Sequence, residues 1–294
     1  MLINKNFIYM GKIKLYIFIM CIYIFFRVIF LKIMNRLKSI NQINFEELKK
    51  SDTLFILGSG SSINDLSSSD WEHISKHDSV GFNFWFLHDF VPSYYVYEES
   101  LDQRRNDIFY EILDDKKELY KNTVFLVKDI ERKGKTLHKI PSSIKNNFYL
   151  APSVSFTSNF LDENKFFYML NEIIPFLKKV NSNRIRLLFN RKASLIYIVM
   201  LSYLLGYKKV VLCGVDLNNN HYFFDDVKYN NYKKPDNSYI NGVHPTNDIG
   251  NKDPMTVAQI LEVLYFKFLY KNINLYILSN KSELAKFLPI YKLS

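Results

Sequence analysis

The stretch "RKASLIYIVMLSYLLGYKKVVLCGVD", residues 191–216, limits the fold more than any other. Residues 191–206 repeat their apolar side chains at helical spacing and stop at Gly206, a residue suited to the left-handed conformation that closes a helix. "KKVVLCGVD" (208–216) follows at once, apolar through its centre without alternation. That is the pattern of a strand covered on both faces, and such strands belong to parallel sheets wrapped by helices. "TLFILG" (53–58) is a second strand of this kind. The body alternates accordingly. Strands are predicted over 79–86, 92–100, 122–128 and 274–279, and helices over 70–77 with Asp70 as N-cap, 103–120, 164–180, 253–272 and 282–288. Pro175 should break or kink its helix, and Asp253 with Pro254 should open the next. Residues 217–250, rich in Asn, Asp and Tyr, read as a long loop of the lid type. The expected fold class is α/β: one Rossmann-like domain over 52–294 with a mostly parallel sheet.

The first 36 residues differ. "LYIFIMCIYIFFRVIFLKIM" (15–34) is apolar except for Arg27 and Lys32. A spanning helix needs about 20 such residues, so a membrane-associated N-terminal helix over 1–36 is expected, either crossing the bilayer or lying on it. The alternative is a hydrophobic helix packed on its own domain. No small-residue cleavage site follows, which speaks against a removed signal peptide. Residues 37–51 read as a polar linker or short helix. The chain carries +10, and residues 1–50 hold nine Lys/Arg against two acids, so +7 of it lies beside the apolar segment. That placement favours an anionic membrane surface over nucleic acid. The two cysteines, Cys21 and Cys213, lie in apolar runs and argue against a disulfide framework or a zinc site.

Five places carry candidate chemistry. Gly58-Ser59-Gly60-Ser61-Ser62 ends a buried strand, where α/β proteins bind ligands. Its glycines allow close approach, and its serines can donate to phosphate or ribose oxygens. The turn lacks the Gly-Lys-Ser/Thr of a P-loop and the third glycine of the dinucleotide fingerprint, so an ordinary tight turn fits as well. Asn83 follows a strand and is either a turn former or a crevice residue. Arg191 and Ser194 stand at a helix start suited to a carboxylate or phosphate, or simply to solvent. Gly214 and Asp216 end a buried strand, with His221, Asp225 and Asp226 nearby. A metal there is weakly specified because no histidine pair has ligand spacing. His244 lies in the loop before a helix and is suited to general-base work, or is an inert surface histidine.

Taken in order, these motifs resemble the bacterial sialyltransferases of glycosyltransferase family 42, patchily over residues 52–290 and best at 53–66, 79–100, 191–225 and 239–288. The resemblance implies a GT-A-type variant of the Rossmann-like domain. It also implies inverting transfer of sialic acid from CMP-sialic acid to a lipooligosaccharide or surface-glycan acceptor, without a metal or other cofactor. It assigns Gly58, Ser59, Gly60, Ser61 and Ser62 to the CMP turn, Asn83 and Ser194 to donor contact, and Arg191 to a place near the donor sugar. Gly214 and Asp216 become the strand end before a lid over 217–250, Tyr222 a stabiliser of the departing phosphate, and His244 the base or a phosphate contact. Ser59, Ser61, Leu195 and Asn218 depart from the family pattern, and Glu98 stands where a second donor-contacting Asn is expected. These departures leave room for a donor other than CMP-sialic acid, such as CMP-Kdo or the CMP ester of another nonulosonic acid.

The implied partners are the CMP-sugar, a glycan or lipid-linked acceptor and the membrane surface, with no nucleic acid. A homo-oligomer is compatible with the sequence. The implied location is the cytoplasmic face of the bacterial inner membrane. Two rival readings remain: a Mg²⁺-dependent nucleotide pyrophosphokinase or sugar-phosphate transferase using Asp216, Asp225 and Asp226, and a membrane-tethered scaffold of a glycan assembly complex.

Overall fold

The computed structural model describes residues 2–128, 134–156, 163–219, 221–235, 245–247 and 254–293, with side chains from residue 11 onward. The chain starts with helix α1 (Leu2–Asn35), followed by the two-residue strand β1 (Lys38–Ser39) and helix α2 (Phe45–Leu48). Then come β2 (Thr53–Leu57), α3 (Ser68–Ser75), β3 (Asp78–Phe82), β4 (Tyr94–Tyr97), α4 (Gln103–Asp115) and β5 (Val124–Val127). The second half holds β6 (Phe148–Leu150), β7 (Ser153–Ser155), α5 (Glu163–Val180), β8 (Leu188–Asn190), α6 (Ser194–Leu204), β9 (Lys209–Cys213), α7 (Val257–Leu264) and β10 (Asn274–Ile277).

Eight strands form one sheet in the order β1-β6-β5-β4-β3-β2-β9-β10, and β7 pairs with β8 apart from it. All the described strand pairs are parallel. The α/β class with a mostly parallel sheet is therefore the observed one. β2 is buried at every residue and β9 at all but its first, as expected of strands covered on both sides. Their register sets Leu57 beside Cys213. Chain order reverses between these two neighbours: β2 leads on to β3 on one side, and β9 to β10 on the other. That is the topological switch point, where a crevice opens beyond the strands' carboxyl ends.

Several boundaries differ from expectation for local reasons. Asp70 is not the N-cap of α3. Ser67 is, and its hydroxyl accepts from the Asp70 N–H at 3.3 Å while the Asp70 carboxylate accepts from the Ser67 N–H at 2.8 Å. Thr256 caps α7 in the same way with Gln259, whereas Asp253 lies outside the described residues. α7 gives way to a π-helical turn over Tyr265–Leu269, where the sequence suggests one continuous helix. α5 runs unbroken through Pro175, held by buried Met169, Leu170, Ile173, Ile174 and Leu177. The strand expected over 79–86 stops at Phe82 because Asn83 turns the chain with φ of 55°. The helix expected over 282–288 is one short 3₁₀ turn, Glu283–Lys286. The polar segment before β2 is tied to the domain: β1 pairs with β6 at the sheet edge, and the Asp78 carboxylate accepts the N–H groups of Lys50 at 2.8 Å and Ser51 at 3.2 Å.

Candidate functional site at the switch point

Two loops meet where β2 and β9 end. The Gly58 N–H donates to the Cys213 carbonyl at 2.7 Å and the Gly60 N–H to the Gly214 carbonyl at 2.7 Å. A Cβ on Gly58 would come within 2.5 Å of the Gly214 oxygen, and one on Gly60 within 2.5 Å of an Asp216 carboxylate oxygen. Both glycines are thus required by the approach of the other loop. Asp216 is buried and pins the turn: it accepts from the Ser62 N–H at 3.0 Å, from the Ser62 hydroxyl, and from the Ser61 hydroxyl at a long 3.5 Å. The hydroxyls of Ser61 and Ser62 therefore face Asp216. Ser59 behaves differently. Its hydroxyl is buried with no hydrogen-bond partner among the described residues, while the residue lines the cavity.

The cavity holds about 940 Å³, enough for a nucleotide-sized ligand. Gly58, Ser59, Gly60, Gly214 and Asp216 form one end, and Asn83, Glu98, Ser194 and Tyr222 also line it. Asn83 is exposed, and its backbone carbonyl accepts from the Tyr95 hydroxyl. Asn tolerates the left-handed conformation better than most residues, so a ligand-facing amide can sit at a strand end at modest cost.

Also in the lining, Glu98 and Ser194 meet around an unforeseen residue, Lys128. The Ser194 hydroxyl donates to the Glu98 carboxylate at 2.6 Å, the Lys128 ammonium reaches the same oxygen at 2.7 Å, and it lies 3.0 Å from the Ser194 hydroxyl. Lys128 is buried and ends the apolar run "NTVFLVK". A lone cation at the carboxyl end of a buried strand is the signal that could have found it. Below lies a second network, in which Tyr110 donates to Tyr97 at 3.0 Å and the Thr136 hydroxyl donates to Glu99 at 2.7 Å.

Arg191 is not brought to the cavity. It is only 1% exposed, and its guanidinium stacks 4.2 Å from the Phe166 ring centroid. The chain turns sharply there, with the Ala193 N–H donating to the Arg191 carbonyl at 2.7 Å. The neighbouring Lys192 lines the cavity instead, with φ of 62° and its ammonium donating to the Met255 carbonyl at 2.7 Å. Arg104 and Arg105 at the start of α4 add positive charge to the rim.

The segment expected to be a free lid is docked over its first part. The Phe223 N–H donates to the Ser59 carbonyl at 2.9 Å, and the Asn64 amide donates to the Phe223 carbonyl at 2.9 Å. The Phe223 ring sits 5.4 Å from Trp85, 5.6 Å from His88 and 5.1 Å from Tyr229. Tyr222 is half-buried, stacks on Phe224 at 5.0 Å and bridges to Gly60 through its backbone. Burial among these rings lowers the pKa of His88 to about 4.

His244 lies outside the described residues, but Thr246, two residues on, lines the cavity. The histidine seen at the rim among the described residues is His221, exposed, and weighed from the sequence only as a neighbour of a weakly specified metal site. Among the described residues no three His, Cys, Asp or Glu side chains stand together as a metal site. The three carboxylates of the Mg²⁺ reading serve separate local roles: Asp216 holds the serine turn, Asp225 accepts the Tyr222 N–H at 2.8 Å, and Asp226 accepts the Lys228 N–H at 3.0 Å.

No family model matches the sequence, and no curated protein matches it. Among solved structures the chain is similar to the sialyltransferase CST-II in complex with CMP, at 20% identity over 82% of this chain and 87% of that one, with a TM-score of 0.46. A second variant of that enzyme, also with CMP, shares 19% identity over 82% and 86% of the two chains, at 0.45. The sialyltransferase CstII from Campylobacter jejuni with a substrate analogue, CMP-3FNeuAc, shares 18% over 82% and 86%, at 0.42.

Proposed function

We propose that the protein is an inverting glycosyltransferase. It moves sialic acid or a related nonulosonic acid from a CMP-sugar to a hydroxyl of a bacterial surface-glycan acceptor. The observation that carries this reading is the switch-point cavity, where the serine-glycine turn, Asn83, Ser194 and Tyr222 line one volume. CMP lies across the strand ends. Its phosphate faces the Ser59 hydroxyl, which has no partner among the described residues, and the Tyr222 side, and the cations of the rim favour its charge. The sugar extends toward Glu98 and Ser194. The acceptor hydroxyl attacks the anomeric carbon from the face opposite the phosphate, and His244 takes its proton. As the C–O bond to phosphate breaks, the bond electrons leave with CMP, and each well-placed donor stabilises that charge by a few kcal/mol. Arg191 supports the strand end from behind through its stack on Phe166. No metal is assigned a step. The apolar helix α1 holds the enzyme at the cytoplasmic face of the inner membrane, near lipid-linked acceptors.

The test is a melting-temperature screen against CMP, UMP, GDP and UDP. CMP should stabilise selectively, by about 2.7 kcal/mol at a hundredfold excess over its Kd. Stabilisation by a diphosphate alone, or by none of the four, refutes the reading. If His244 is the base, His244→Ala should bind CMP normally and turn over about a hundredfold or more slowly.

A further inference from the structure

α1 carries apolar residues on two opposite faces, and both need cover from water. The molecule covers one side only. Ile13, Ile17, Ile24 and Leu31 are buried in a stripe against the domain, where α1 packs on α5 and β7. The helix is held near both ends. The Tyr16 hydroxyl donates to the Ser155 carbonyl at 2.8 Å, and the Lys14 ammonium lies 3.4 Å from the Glu172 carboxylate. At the other end Leu31 sits so close to Gly134 that a Cβ there would come within 2.8 Å of it.

The opposite side is bare. Phe18 is 62% exposed, Phe26 64% and Ile33 73%, with Leu15, Ile22 and Ile29 also exposed between them. Eighteen residues make five whole turns at 3.6 residues per turn, so Ile13 and Leu31 share the inner face and Leu15 and Ile33 the outer one. Lys14 and Lys32, at the same spacing, mark one border between the two faces, and Lys12 marks the other. No Asp or Glu precedes Glu46, while seven Lys/Arg do.

We propose that α1 binds an anionic lipid bilayer lying flat. Its outer face enters the headgroup–acyl boundary, its border lysines sit at headgroup level, and the domain stays attached along its inner face. This deepens the membrane association proposed above and does not depend on the nucleotide. Charge names the occupant: a second copy would set one basic N-terminal segment, with seven Lys/Arg before its first acid, against another, whereas acidic headgroups complement it. Packing sets the orientation. Were α1 to cross the bilayer as it stands, the Lys14–Glu172 pair and the Ser155 backbone beside it would enter hydrocarbon with it.

The test uses the full chain with phosphatidylcholine vesicles and with phosphatidylcholine–phosphatidylglycerol vesicles. Wild type should co-sediment with the acidic vesicles. Phe18→Ser with Phe26→Ser should abolish that binding, and Lys14→Gln with Lys32→Gln should weaken it on the order of tenfold. Both variants should keep the nucleotide response of wild type, which separates this result from the glycosyltransferase reading. In inverted inner-membrane vesicles, Lys12→Cys in a Cys21→Ser background should react with a membrane-impermeant maleimide, since the remaining Cys213 is buried. Protection of Lys12→Cys until detergent is added means spanning and overturns the proposal. So does unchanged vesicle binding after the paired phenylalanine substitutions, or a lipid-free dimer that those substitutions dissociate.

Discussion

Gly206 and Gly214 hold nearly the same left-handed backbone, φ of 71° and 62°, yet they answer to different constraints. Nothing lies within 4 Å of a Cβ placed on Gly206, whereas one on Gly214 would come within 2.5 Å of Ile63. Gly206→Ala should therefore cost only the conformational penalty, about 1 kcal/mol. Gly214→Ala should add repacking of the loop pair and cost about 2–4 kcal/mol. Urea unfolding of the two variants checks the difference, and equal midpoints would contradict the packing argument. Lys128 supports a second comparison. Its ammonium is buried against the part-exposed Glu98 carboxylate, so Lys128→Met should destabilise by about 1–3 kcal/mol after allowance for solvent at Glu98. Adding Glu98→Gln should recover part of that loss, and a double-mutant cycle with no coupling would deny the pair its role. Of the cavity-lining positions, Glu98 was picked out only by the family resemblance, whereas the glycines and Asn83 were legible from residue type and strand-end position and Ser194 from its place at a helix start. The reason for the glycines was not, since the crowding comes from a loop more than 150 residues away. Arg191 looked accessible because nothing in "NRKAS" reveals that the chain turns it inward and Lys192 outward.

At the level of elements, the periodic helices and apolar strands were readable, while their ends were decided by contacts the local pattern does not carry. Ser67, not Asp70, caps α3, and Thr256 caps α7, because each has a partner three residues on, Asp70 or Gln259, to complete a capping box. The segment 217–250 lacks periodicity because its first part is held by aromatic insertion and backbone bonds to the serine turn. His88 lies at the base of that docking, with Asp89 beside it favouring the proton and Lys228 and Lys116 opposing it. Folded, it stays neutral down to about pH 4; unfolded, it takes a proton below about pH 6.5. The unfolded state then binds more protons across that window, so stability falls as pH drops from 6.5 toward 4, by about 3 kcal/mol in full. Unfolding free energies measured from pH 7 to 4 should show this slope. His88→Asn, which keeps an acceptor for the Phe90 N–H, should flatten it.

Across the whole molecule, the parallel character of the sheet follows from two facts visible in the chain, strands apolar on both faces and a helix between most of them, whereas the strand order does not. The sequence could not show that the serine turn and the Gly-Val-Asp corner close against each other. Four contacts lock that junction: two backbone hydrogen bonds and the grip of Asp216 on both the N–H and the hydroxyl of Ser62. Each half is braced by the other. An engineer transplanting residues 58–62 into another scaffold would carry over a fragment that cannot hold its curve, whereas moving it together with 213–216 would transfer a self-consistent module. Diversification of this site should accordingly proceed by paired exchange, with the two corners inherited as one unit.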